Sequence, residues 1–135
     1  MAYILNIETT SKNCSVALSK DGKLLALREL SELGYSHAEK LHVFVEEVLE
    51  ESGLLLRDLN AVAVSQGPGS YTGLRIGVSA AKGFCLALDI PLIALDTMEV
   101  LARQVNQKDG LIIPLIDARR MEVYTAVFNS DYHKI

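Results

Sequence analysis

The chain has 135 residues, 13 Lys and Arg against 17 Asp and Glu, a formal charge of -4, and 50% apolar residues. That composition fits one folded domain with a core of its own and excludes a disordered chain. The acidic balance argues against tight autonomous binding to nucleic acid, which rests on cations neutralising phosphates, so another component must hold most of any RNA.

No apolar run reaches the roughly 18 residues that span a bilayer. The start, residues 1–7, lacks a basic region and a small-residue cleavage pattern, so a cytoplasmic protein without membrane contact is expected. Cys14 and Cys85 show no metal-type spacing and read as buried, reduced thiols.

Residues 3–7 form an apolar run ending in Glu8, Thr9, Thr10 and Ser11, a buried strand entering a polar turn. Residues 13–19 and 23–30 read as two further strands, joined through Asp21-Gly22, a strong hairpin signal. Three short strands with tight turns make an antiparallel meander. A helix follows from about Ser36 to Ser52. Ser36 and Glu39 form its capping box, Leu41, Phe44, Val45, Val48 and Leu49 its apolar stripe, and Gly53 its stop. Glu46, Glu47, Glu50 and Glu51 are like-charge i, i+4 pairs on that helix, unfavourable in isolation. Residues 60–65 make a fourth strand. A glycine-rich turn, a helix over about 73–88 and a strand at 91–95 complete a βαβ unit, so the fourth and fifth strands run parallel.

This is the element order of a ribonuclease-H-like half with a mixed five-stranded sheet, over residues 1–110. A helix capped by Asp96 or Thr97 with Glu99, running through Val105, leads out of it. Residues 111–135 then repeat the opening: an apolar strand ending in Asp117, a polar turn at Ala118-Arg119-Arg120-Met121, and a second strand to Phe128. Ile7-Glu8 and Ile116-Asp117 occupy equivalent places in that reading. A second, similar but truncated lobe is expected, with strands that lack neighbours.

Gln66 through Arg75 is the most distinctive segment. Its glycines permit close backbone approach, and the amides opening the next helix suit an anion. No Gly-Lys-Ser/Thr follows, so it is not a Walker loop. Gly67 and Gly69 fit a dinucleotide fingerprint and Asp96 stands where a ribose-binding acid would, but Thr72 replaces the third glycine and the preceding meander does not fit. On the helix after the turn only Arg75, Ser79 and Lys82 are polar, at i, i+4 and i+7. Its apolar face exceeds what one sheet needs, and Gly73, Gly77, Ala80 and Phe84 on one flank allow a second helix to approach closely.

Together, Ile7-Glu8-Thr9-Thr10-Ser11, the turn Gly67-Pro68-Gly69-Ser70-Tyr71-Thr72-Gly73-Leu74-Arg75, and Ile116-Asp117-Ala118-Arg119 resemble the TsaB (YeaZ) family. That family is the non-catalytic paralogue of TsaD/Kae1, in a superfamily also called glycoprotease or peptidase M22. The resemblance spans the whole chain and implies an actin/Hsp70-type (ASKHA) fold, and members of the family are usually longer. It implies a subunit of the complex that forms N6-threonylcarbamoyladenosine on tRNA, with a TsaD-type paralogue, a TsaE-type ATPase or a second copy as partners, and tRNA held only indirectly.

The catalytic paralogue carries His-x-Glu-x-His after the fifth strand, two imidazoles on one helical face. This chain has Thr97-Met98-Glu99-Val100-Leu101 there, so no metal site is expected. His37 and His42 are five apart and cannot share an ion from one helix face, and His133 lies in the tail. No cofactor is required, although ATP or ADP can enter with the complex. In the actin-like superfamily an acid and a hydroxyl-rich turn cradle phosphate, which makes Glu8, Thr9, Thr10 and Asp117 the nucleotide-binding candidates, the turn lacking its glycine.

Association is expected through Leu41, Val45 and Val48 of the first long helix. From the helix of residues 73–88 it would use Leu74, Gly77, Val78, Ala80, Ala81 and Phe84. Gly77→Arg or Ala80→Arg is expected to keep the fold and abolish association. No catalytic residue is assigned. The alternative is an enzyme in its own right, a nucleotide-hydrolysing or metal-dependent glycoprotease-like protein.

Overall fold

The computed structural model describes residues 2–31 and 37–135. Strands β1 (Tyr3–Glu8), β2 (Asn13–Lys20) and β3 (Lys23–Ser31) form the antiparallel meander. Asp21 and Gly22 both take positive φ, 49° and 82°, the geometry that matches a two-residue hairpin to the twist of its strands. Helix α1 (His37–Ser52) follows; Ser36, expected to cap it, lies outside the described residues. A short 3-10 turn (Leu56–Asp58) precedes β4 (Ala61–Gly67), helix α2 (Tyr71–Leu88) and β5 (Leu92–Asp96). The sheet order is β3-β2-β1-β4-β5, with β4 parallel to both β1 and β5.

Helices α1 and α2 cover one face of this sheet. The period of two along each strand turns Leu5 and Ile7, Cys14, Val16 and Leu18, and Val62 and Val64 toward them. Leu41, Val45, Val48 and Leu49 of α1 and Ala81 and Cys85 of α2 complete this core. Each large aliphatic side chain buried here contributes about 1.5–3 kcal/mol. Arg28 on β3 reaches over to α1 and bonds Glu47 and Glu51, each at 2.9 Å, so a cation from the neighbouring strand offsets half of the acidic run.

Cys14 and Cys85 sit in this core, 1% and 9% exposed. Burial pushes both thiols above their ordinary range, which suppresses the reactive thiolate. Iodoacetamide at neutral pH is therefore expected to modify neither thiol in the native protein and both after unfolding in urea, as read by intact mass. Native labelling at the rate of an unfolded peptide would show that the core is open.

Helix α3 (Thr97–Ala102) packs against β4 and leads to four short strands: β6 (Leu111–Ile112), β7 (Leu115–Arg119), β8 (Glu122–Thr125) and β9 (Phe128–Asn129). The helix ends earlier than Val105, because the amides of Gln104 and Val105 turn back to Leu101 and Ala102 in tighter i to i-3 bonds. The continuous strand expected over 111–117 is broken near Pro114, which has no amide to donate to a ladder. β6 pairs with β9 and β7 with β8, as two separate antiparallel pairs. Met98 and Ala102 of α3 join Ile112, Ala126 and Phe128 in a second small core. Among the described residues no helix is long and apolar enough to cross a membrane.

Candidate functional site

A cleft of about 490 Å³ opens between three turns. Thr10, Ser11 and Lys12 after β1 form one wall, Gly69 through Thr72 at the start of α2 a second, and Ile116 through Arg119 with Tyr124 from the β7–β8 hairpin the third. The first two walls are locked together. Thr9 Oγ1 donates to the carbonyl of Gly73 at 2.7 Å, and the Ser70 amide donates to the carbonyl of Thr10 at 2.8 Å. A Cβ at Gly73 would stand 1.9 Å from the Thr9 carbonyl oxygen, and one at Gly77 would stand 2.1 Å from Thr9 Oγ1. The glycines of this segment do permit close approach, but what approaches is the chain's own β1–β2 turn.

Ser70 caps α2, its hydroxyl accepting from the Gly73 amide at 3.3 Å. The Gly67 amide donates to Thr97 Oγ1 at 3.1 Å, tying the end of β4 to the start of α3. Pro68 and Gly69 complete the bend, with Gly69 packed on Thr10. Leu74 packs beneath Gly67, whose added Cβ would meet its side chain at 3.4 Å. Thr72 and Arg75 are exposed, and Arg75 lies 5.5 Å over the Tyr71 ring.

Of the four nucleotide candidates, Thr10 and Asp117 line the cleft, while Glu8 and Thr9 do not. Thr9 is 1% exposed, with its hydroxyl engaged by α2. Thr10 is 2% exposed and its hydroxyl donates to the Glu8 carboxylate. The other Glu8 oxygen is buried without a hydrogen bond among the described residues. Asp117 turns its carboxylate to the amide of Arg119 at 2.8 Å and so closes its own hairpin. The hydroxyls that would cradle phosphate in the expected arrangement thus hold the fold instead. Sequence reading did not single out Lys12, Tyr71, Arg119 or Tyr124 as wall residues. The signals were there: Tyr71 and Arg75 stand at i, i+4, and Arg119-Arg120 falls in the second polar turn.

Thr97 and Met98 are buried, and Glu99 lies 3.5 Å from Arg103. Among the described residues no three His, Cys, Asp or Glu side chains come together.

The association surface also needs correction. Leu41, Val45, Val48 and Ala81 are between 0% and 3% exposed and form the core, because the apolar stripe of α1 is consumed by β1 and β2. Gly77 is buried against Thr9, so Gly77→Arg cannot leave the fold intact. Leu74 is partly buried, and Val78 packs against the sheet core. Ala80 and Phe84 remain at the surface in part. Ala80 belongs to a flank line Ile76, Ala80, Gly83 and Ala87, spaced i, i+4, i+7 and i+11, along which Ile76 and Ala80 still touch the core from one side while Gly83 and Ala87 are exposed. Phe84 meets His42 of α1 beside it, ring centroids 5.8 Å apart.

A mixed sheet in the order β3-β2-β1-β4-β5, helices packed on it, and a cleft facing a second hairpin define an actin/Hsp70-type lobe. The ethanolamine utilization protein EutJ from Carboxydothermus hydrogenoformans shares this fold, at a TM-score of 0.53 and 15% identity over 96% of this chain and 52% of its own. A family model described as TsaD, tRNA N6-adenosine threonylcarbamoyltransferase, matches residues 31–135. The tRNA threonylcarbamoyladenosine biosynthesis protein TsaB of Escherichia coli K12 is 39% identical over 134 residues, 98% of this chain and 57% of that protein. YeaZ from Pseudomonas aeruginosa superposes with a TM-score of 0.85 at 33% identity, over 96% of this chain and 60% of its own. The chain belongs to the TsaB/YeaZ family, within the wider family that the TsaD model describes. It spans 57% of the Escherichia coli relative and 54% of the TsaB of Bacillus subtilis.

Proposed function

We propose that this chain is a non-catalytic partner subunit in forming N6-threonylcarbamoyladenosine on tRNA, acting in the cytoplasm. It binds a TsaD-type paralogue, or a second copy of itself, through the outer line of α2. The relatives named for threonylcarbamoyladenosine biosynthesis support the pathway. The single observation that supports the role is the open flank of α2 at Gly83: among the described residues an added Cβ there meets nothing within 4 Å, with exposed Ala87 and half-buried Ala80 and Phe84 beside it. Small residues at such spacing let a partner helix approach to backbone distance, as in helical bundles. On this reading the chemistry belongs to the TsaD-type partner. The chain needs no cofactor of its own, and ATP or ADP enters with a TsaE-type ATPase.

Reconstitution tests this directly. The protein is mixed with a TsaD-type paralogue, a TsaE-type ATPase, threonylcarbamoyl-adenylate and unmodified tRNA, and the digested tRNA is analysed by mass spectrometry. The complete mixture is expected to yield the modified adenosine, and omission of this protein to slow its formation at least about tenfold, equivalent to about 1.4 kcal/mol in the barrier. Equal yield without it, or yield from it alone, would overturn the assignment.

A further inference from the structure

We propose that the mouth of the cleft takes a single strand of RNA, with one base on Tyr71 and neighbouring phosphates on Lys12, Arg75 and Arg120 at the hairpin tip. The choice of RNA rests on the tRNA reading above; the binding mode rests on the cleft itself. Tyr71 is 74% exposed, unusual for a large ring unless something covers it, and Arg75 stacks over it. Tyr124, 40% exposed, stands on the opposite wall. Lys12 and Arg119 both line the cleft, one from each side. Among the described residues Lys12, Arg75 and Arg120 make no ion pair, whereas Arg28, Arg103 and Lys134 elsewhere do. Arg75 and Arg120 lie just outside the lining, next to Tyr71 and Arg119. The one acid lining the cleft among the described residues, Asp117, is engaged by the Arg119 amide, so in a chain of net charge -4 the mouth is locally cationic.

The hairpin adds a second sign. Arg119, Arg120 and Met121 take φ of 66°, 55° and 62° in succession, a left-handed run that side chains other than glycine seldom adopt. It places two arginines side by side on an exposed tip.

The chemistry favours a strand over a free nucleotide. A triphosphate needs converging amides and hydroxyls, but here the Thr9 and Thr10 hydroxyls and the Ser70 amide are engaged internally. What remains are the side-chain cations Lys12, Arg75 and Arg120 from three separate elements and two exposed rings, Tyr71 with Arg75 on one face and Tyr124, the means by which proteins hold single strands. About 490 Å³ is the size of a single nucleoside-scale group.

The test uses a fluorescently labelled single-stranded RNA of about ten nucleotides, a duplex of the same sequence, and ATP, with binding read by anisotropy. The strand is expected to bind saturably, and Tyr71→Ala to weaken it about tenfold, as loss of one stacked base does. Lys12→Gln is expected to lower the salt slope by about one phosphate contact. Both positions are exposed, so circular dichroism of the variants should match the parent. The idea is overturned if the strand does not bind, if both variants bind it like the parent, or if the duplex or ATP binds more tightly with the same sensitivity to Tyr71→Ala. Failure of the partner-subunit reading shows separately, as lost association in sedimentation with RNA binding retained.

Discussion

Gly73→Ala is expected to destabilise the protein by about 3 kcal/mol, the upper end for overpacking, although alanine is the better helix former. The new methyl would lie 1.9 Å from the carbonyl oxygen of Thr9, a backbone atom that no rotamer change can move. Either α2 lifts from the β1–β2 turn or the turn leaves the sheet, and both break the bond from Thr9 Oγ1 to Gly73. Urea denaturation should show the loss as a lower midpoint with an unchanged slope. Gly83→Ala on the same helix supplies the opposite sign. Nothing lies within 4 Å of its added Cβ, so the propensity gain of up to about 1 kcal/mol is free to appear.

Gly77 provides the mechanistic check. Its Cβ would clash with Thr9 Oγ1, a side-chain atom, at 2.1 Å. Gly77→Ala alone should cost about 1–3 kcal/mol. Combined with Thr9→Ala, it should cost at least about 1 kcal/mol less than the sum of the single changes, because the clashing oxygen is gone. Strict additivity would place the strain elsewhere.

How much of this was legible in the sequence follows from the range of the signals. The Asp21-Gly22 hairpin, the stop at Gly53 and the parallel β4–β5 pair are local or periodic, and the structure places them as expected. The glycine turn was recognisable as a place of close approach, yet nothing along the chain said what would approach. Thr9 lies 64 positions from Gly73, and a contact at that separation leaves no periodic trace. The association residues were misplaced for a related reason. An apolar stripe shows that a helix face is covered, not by what, so Leu41, Val45 and Val48 read equally well as core or interface until β2 was seen beneath them. The glutamates of α1 likewise looked unfavourable until Arg28 arrived from a strand 19 residues upstream of Glu47. Hydroxyl-rich Thr9-Thr10 matched a phosphate turn in residue type, and only burial showed those hydroxyls to be occupied.

Gly83→Arg is expected to weaken association with a second copy or with a TsaD-type partner by more than about 100-fold while leaving the fold intact. The fold is spared because the position is exposed and its Cβ direction is open, unlike that of Gly77 six residues earlier in the helix. Association suffers because a partner helix seated on Ile76, Ala80, Gly83 and Ala87 would have to bury a guanidinium with no carboxylate provided, a cost of about 3–5 kcal/mol for an unpaired buried charge. Lys82→Glu is the control: it changes charge on the same helix but on the flank shared with Arg75 and Ser79, away from this line. Sedimentation velocity should find Lys82→Glu assembled like the parent and Gly83→Arg dissociated, with matching circular dichroism. If Gly83→Arg assembled normally while Lys82→Glu did not, the partner would have to sit on the other flank of α2, where Leu86 is 87% exposed.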